Sequence, residues 1–245
     1  MHGTLQQDRM YVTVDIQILT VREGRLGLLL GRREYPPYPN RWALPGRFVE
    51  LDESAEAATR RLLDEMLPTQ GAYLEQLYTF TAVDRDPRGR VLSTAYLAIV
   101  PWRRLEPVLG QEGMRLSCFD VRMDERQLIL SGVDGTELAG EELAFDHGRI
   151  VRTGIQRLRG KIDYTDIGFR FLDDDQAFPL SALTAIYEAV LDKDIDDSNF
   201  RRSLRSRYEE TGRLVQTSMA DRRRRGRPAA LYRLVEYDGG GIEND

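Results

Sequence analysis

The sequence predicts an α+β protein in two parts, a strand-rich body followed by a C-terminal winged helix-turn-helix unit. Three observations carry that prediction. Residues 11–100 alternate apolar, strand-like runs with a single capped helix. Residues 181–207 hold two amphipathic helices in succession, and an arginine-rich stretch separates them from one last strand, "AALYRLVEY". Period-2 runs closed by turn residues mark strands, and apolar residues three and four apart mark helices.

In the body, "YVTVDIQILTV" (11–21) and "RLGLLLGRR" (25–33) read as two strands joined by the turn Arg22-Glu23-Gly24. The proline-rich "PPYPNRWALPG" is a loop that leads through Phe48 and Val49 towards a helix beginning after Glu53. Ser54 is its N-cap, and Pro68 stops it near Leu67 by disfavouring helical backbone at the preceding residue. Residues 74–83 and 91–100 are strands on either side of Asp86-Pro87-Arg88-Gly89, where proline second and glycine fourth suit a type I turn. Residues 115–121 and 127–133 are shorter strands. From 141 to 162 the pattern turns helical, with Leu143, Ile150, Ile155, Leu158 and Ile162 as packing positions, and reads as a linker helix.

The C-terminal part opens with Leu180, Leu183, Ile186, Tyr187, Val190 and Leu191, one apolar stripe along helix 181–191. A second helix, 197–207, follows the capping residues Asp196-Asp197-Ser198 and buries Phe200 and Leu204. Its other face presents Asn199, Arg201, Arg202 and Arg205. A hairpin wing follows, tipped by "RRRRGRP" and closed by the final strand. The expected plan is a body over 1–142, a linker over 143–178, a winged helix over 179–238 and a disordered tail over 239–245.

Composition sets outer limits. The 245 residues carry a net charge of −5, with 41% hydrophobic and 31% charged residues, as soluble globular chains do. No apolar run approaches the ~18 residues of a membrane span, and the first nine residues lack the apolar core of a signal peptide. A lone cysteine, Cys118, excludes an internal disulfide framework and points to a reducing cytoplasm. Two histidines and one cysteine leave no zinc cluster. The charge is unevenly spread: residues 199–227 hold ten arginines against Glu209, Glu210 and Asp221, a surplus of seven, so the rest carries −12. A basic end on an acidic body suits a polyanionic partner at that end alone.

Two motifs carry chemistry. "WALPG" followed by Glu53, Arg61 and Glu65 resembles the Nudix box, with Arg47 at the family's glycine. That resemblance implies an α/β/α sandwich on a mixed sheet, in which the motif's loop and helix hold a divalent metal against a nucleoside diphosphate. Glu53, Arg61 and Glu65 match the family's salt-bridge network. Leu62 and Met66 stand where family hydrolases place two metal-binding glutamates, and Mg²⁺ needs hard oxygen ligands that neither side chain has. Shifting the register by one residue, to Asp52 and Arg60, puts Arg61 at the first ligand position and Glu65 at the second, which also loses a ligand. No metal and no cofactor are therefore expected. The effector-binding candidates are Arg47, Phe48, Glu53, Arg61, Glu65, Arg85 and Arg88. Arg47 either contacts the diphosphate or obstructs the pocket, and "DRDPRGR" is either a solvated turn or a phosphate contact.

The second motif is the basic winged helix. Asparagine pairs with adenine and arginine with guanine in the major groove, and arginines also hold phosphate. At the wing Arg222, Arg223, Arg224, Arg225 and Arg227 concentrate charge, and Arg225-Gly226-Arg227-Pro228 looks like an AT-hook suited to a narrow minor groove. DNA suits a reading helix better than RNA, whose A-form major groove is too narrow to admit one. Together "DRDPRGRVLSTAYLAIV", "LRGKIDYTDIGF" and "NFRR…EETG…RGRPAALYRL" resemble the Nudix-related transcriptional regulators, which include the NrtR repressors of NAD biosynthesis genes. The resemblance implies a homodimer on a palindromic double-stranded DNA operator, released by a nucleotide-related effector such as ADP-ribose. The competing reading is a Mg²⁺-dependent pyrophosphohydrolase with an accessory nucleic-acid module, against which Leu62 and Met66 weigh.

Overall fold

A computed structural model describes residues 10–67, 72–109, 115–221 and 229–235. The strands β1 (Tyr11–Arg22), β2 (Arg25–Arg32), β5 (Tyr73–Phe80), β6 (Val91–Ile99), β7 (Leu116–Met123), β8 (Leu128–Gly132) and β9 (Glu137–Ala139) form one sheet in the order β5-β6-β1-β2-β7-β8-β9. Two short strands, β3 (Trp42–Ala43) and β4 (Gly46–Phe48), pair with β2 and β1. Only β1 and β6 run parallel, so the sheet is mixed as expected.

Helix α1 (Ala55–Met66) is capped as predicted: the Ser54 hydroxyl accepts the Ala57 amide at 3.1 Å, and Leu67 leaves helical geometry at φ −132°. Its Leu63, with Leu67, packs on Ile16, Ile18 and Leu29 of the sheet together with Leu105 and Val108 of α2 (Trp102–Leu109). The periodicity gave no sign of α2, because Pro107 inside it argues against a helix. Packing on β1 and β7 overrides that local preference. The opposite face of the sheet is covered by α3 (His147–Lys161) and by α4 (Leu180–Leu191), which packs on β2.

Three boundaries differ from expectation. The helix foreseen over 141–162 starts only at His147. It is preceded by a 3₁₀ turn at Gly140–Glu142, extended Leu143 and Phe145 in the left-handed region at φ 56°. The start is fixed where Gly148 meets the Gly140 carbonyl, since a Cβ there would lie 2.2 Å from that oxygen. Nor is α3 a free linker: Ile150, Val151, Ile155 and Leu158 are buried against the sheet. The strand expected to reach Val83 stops at Phe80, because Arg90 takes the Thr81 and Ala82 carbonyls and turns the chain outwards.

The C-terminal unit is the predicted winged helix-turn-helix. It contains α4, α5 (Asp197–Leu204) and the antiparallel pair β10 (Leu214–Asp221) and β11 (Ala229–Leu234). The second helix was expected to run to Arg207. It changes to a π turn at Arg205–Glu209 instead, which carries Tyr208 into the core against Phe169 at 5.1 Å. The wing arginines Arg222–Arg225 and Arg227 and the tail 239–245 lie outside the described residues.

Candidate functional site

The site begins with alternation on β1, which puts Thr13, Asp15 and Gln17 on one face of a strand buried on both sides. Asp15 is opposite Gly46 of β4, and a Cβ at Gly46 would lie 2.2 Å from its Oδ1, so only glycine admits this carboxylate. The Ser93 hydroxyl of β6 donates to Asp15 Oδ2 at 2.5 Å, and Arg85 Nη2 donates to the same oxygen at 3.3 Å. Arg85 also holds both oxygens of Asp146, at 2.8 and 3.2 Å. His147, the first residue of α3, accepts the Leu44 amide at Nδ1 (2.8 Å). Its other ring nitrogen, Nε2, faces Asp15 Oδ1 at 3.4 Å. Burial alone would raise the Asp15 pKa; His147, then Ser93 and Arg85, outweigh it and hold the carboxyl at about 2.

Above this hub lies an open cleft whose walls include Thr13, Asp15, Leu44 and Gly46 beside a ring of arginines. Arg47, Arg85 and Arg88, three of the predicted effector residues, line it with Phe48. Arg85 is nearly inaccessible and committed to Asp15 and Asp146. Arg88 forks onto Asp86, which raises its pKa, and its guanidinium lies over the rings of Phe48 (5.3 Å) and Phe145 (5.6 Å). Glu53, Arg61 and Glu65 stand behind Arg47 and are not part of the cleft wall. Arg61 forks onto Glu53 at 2.6 and 3.1 Å, depressing the Glu53 pKa, and also reaches Glu50 at 3.0 Å. Arg47 holds both oxygens of Glu65 at 3.0 Å. Leu62 and Met66 turn away from the cleft and pack on the α1–α2 core.

Sequence reasoning missed Asp15, Arg33, Phe145 and His147, all in the cleft wall. One signal was available for Asp15, a carboxylate in the middle of an apolar strand. Phe145 had none; a bulky residue at φ 56° costs about 1–3 kcal/mol and persists only where its surroundings fix it, commonly beside ligand sites. Here Tyr38 packs edge-on at 5.1 Å and His147 at 5.3 Å.

At the other end, Asn199, Arg201, Arg202 and Arg205 are all exposed, while Leu204 is buried and Phe200 packs on Tyr187 at 4.6 Å. Arg201 is held by Asp197 at 2.8 Å and Arg202 by Asn199 at 2.6 Å, so the face is pre-ordered by its own polar residues.

An arginine-lined cleft joined to a winged helix with an exposed basic helix fits a ligand-responsive DNA-binding protein, and comparison with known proteins gives that class. Residues 11–121 match the NUDIX domain and residues 168–234 the NrtR DNA-binding winged helix domain. The chain is 30% identical to the ADPR responsive transcriptional repressor NtrR of Acinetobacter baylyi over 93% of this chain and 84% of that protein. It resembles the crystal structure of Shewanella oneidensis NrtR complexed with a 27mer DNA at a TM-score of 0.72, with 28% identity over 91% of this chain and 93% of that one. A shorter match, 27% identical over 60% of this chain and 77% of the relative, is to an ADP-ribose pyrophosphatase of Methanocaldococcus jannaschii. The protein belongs to the NrtR family of Nudix-domain transcriptional repressors.

Because the Asp15 pKa lies below its ordinary 3.8, ionisation of this group stabilises the fold above that value, and the contribution is lost as pH falls towards 2. Asp15→Asn lacks it. The stability difference between wild type and Asp15→Asn, read by urea unfolding, is expected to shrink by about 2 kcal/mol between pH 4 and pH 2. A difference that stays constant across this window would show that Asp15 is not held ionised by its neighbours.

Proposed function

We propose that the protein is an ADP-ribose-responsive repressor that binds a palindromic operator as a homodimer in the cytoplasm and controls genes of NAD metabolism. The observation that carries this reading is the span of α3. Its first residue, His147, lines the cleft and its N-cap, Asp146, holds the cleft residue Arg85, while its last turn grips the winged helix. There Arg159 donates to the Val190 carbonyl at 2.8 Å, and the Tyr187 hydroxyl donates to the Ile162 carbonyl at 2.9 Å. A ligand that reorganises the Arg85–Asp146–His147 contacts therefore bears on α3, and α3 bears on α4, which in turn holds α5 through Thr184 and Asp197 (3.0 Å). In a dimer, a changed angle between two reading helices spoils the match to half-sites ~34–36 Å apart. Such coupling is typically ~1–3 kcal/mol, about 5–150-fold in affinity.

The fold family's divalent metal does not fit these residues. Leu62 and Met66 have no hard oxygen donor and face the core, Glu65 is held by Arg47, and Glu53 by Arg61. Among the described residues no cluster of three carboxylate, histidine or cysteine ligands stands together for a metal. The likeness to an ADP-ribose pyrophosphatase therefore supports the ligand class, while the side chains favour a site that holds its effector intact. No helix among the described residues is long and apolar enough to cross a membrane.

Fluorescence anisotropy on operator DNA tests the reading. ADP-ribose is expected to weaken binding at least five-fold, with no AMP formed in the presence of Mg²⁺. Arg202→Ala should lose ten-fold or more in DNA affinity at unchanged melting temperature. Metal-dependent turnover of ADP-ribose, or DNA affinity indifferent to both ligand and Arg202, would contradict it.

A further inference from the structure

Arg33 follows the last residue of β2 and lines the cleft, yet its pairing differs from that of the other cleft arginines. Arg47, Arg85 and Arg88 each hold a carboxylate: Glu65, Asp146 with Asp15, and Asp86. Arg33 forms no ion pair among the described residues. Its Nε donates to the Pro37 carbonyl at 2.8 Å and its Nη2 to the Tyr35 carbonyl at 3.3 Å. Carbonyl dipoles aim a guanidinium but do not neutralise it. The group lies over the Phe145 ring at 4.7 Å, on the same ring that Arg88 approaches at 5.6 Å. Burial, then the charge of Arg88, lowers the Arg33 pKa; the charges of Asp86 and Asp15 oppose this only in part, so a further anion would favour the cation.

We infer that Arg33 is the anion anchor of the cleft, the side chain that takes a phosphate oxygen of a diphosphate ligand, with Arg88 alongside it across the Phe145 ring. This rests on the reading of the cleft as a nucleoside-diphosphate site and adds which residue holds the charge. Three features combine. A half-buried guanidinium has no ion-pair partner within contact distance among the described residues, the Pro37 and Tyr35 carbonyls fix its direction, and left-handed Phe145 supplies a flat face that keeps it from folding away. A guanidinium fork matches two phosphate oxygens as a single ammonium does not. Arg85, which the sequence suggested for this task, is occupied by two carboxylates and is less available.

Isothermal titration of the full chain with ADP-ribose and, separately, with inorganic pyrophosphate tests the assignment in wild type, Arg33→Gln and Arg33→Lys. Arg33→Gln is expected to weaken both ligands at least ten-fold, and Arg33→Lys to recover part of the loss. The decline of affinity with added NaCl should be shallower in Arg33→Gln than in wild type, which a purely structural role would not produce. Equal affinities in wild type and Arg33→Gln, or parallel salt slopes, would overturn the inference and leave the effector reading standing. Pyrophosphate binding that depends on Arg33 in a chain that ignores ADP-ribose would overturn the effector reading and keep this one. Binding of neither ligand would sink both.

Discussion

The guanidinium of Arg85, buried between Asp15 and Asp146, is the contact on which the rest of the molecule depends. It ties β1 to the start of α3, beside the contact of His147 with Asp15 and the bond from the Gln17 amide to the Val151 carbonyl. Two carboxylates and one cation so far from water are stable only as a set. Removing one member of such a buried network costs about 3–5 kcal/mol, because the remaining charges lose their compensation. The network therefore has few intermediate states, and a ligand that touches it acts on α3 as a whole.

That rigidity gives the two halves of the chain a common mechanical element. The hydrophobic core is continuous from the sheet through Ile150, Ile155, Leu158 and Ile162 into Leu183, Ile186 and Val190 of α4. Polar contacts reinforce the same joint: Arg159 reaches both the Val190 carbonyl and the Met123 carbonyl, and the Tyr208 hydroxyl donates to the Thr165 carbonyl. Arg213 and Asp166 form a further ion pair there. Movement at the first turn of α3 has no soft linker in which to dissipate. The motif helix α1 lies on the far side of the sheet, with Arg60 paired to Glu56 within the helix, and Arg61 and Glu65 held by Glu53 and Arg47 from the preceding segment. In this protein it shapes the rim of the cleft through Arg47.

Elements with local causes were legible in the sequence, and those made by distant segments were not. Ser54 and Pro68 bracket α1, and the apolar stripe from Leu180 to Leu191 marks α4, because capping and periodicity are written in neighbouring residues. The polar face of β1, by contrast, has the alternation of a strand open to solvent on one side. Only the arrival of α3, with Gly154 seated over Gln17, buries it. Arg85 could be read as a solvated turn residue or as a phosphate contact, but not as a buried ion-pair partner, because Asp146 is 61 positions away. Arg33, Phe145 and His147 join the site from three further segments, and no spacing rule links them. Leu62 and Met66 were the converse case. Their apolar character alone suits them to packing, and both lie against the α1–α2 core.

The central claim is that the Arg85–Asp146 contact transmits the state of the cleft to the reading helices. The most direct measurement is the ratio of ADP-ribose affinities for free and operator-bound protein, compared between wild type and Asp146→Asn. The account predicts a ratio of at least five in wild type that falls towards one in Asp146→Asn, with both ligands still bound. A ratio unchanged by the substitution would contradict it.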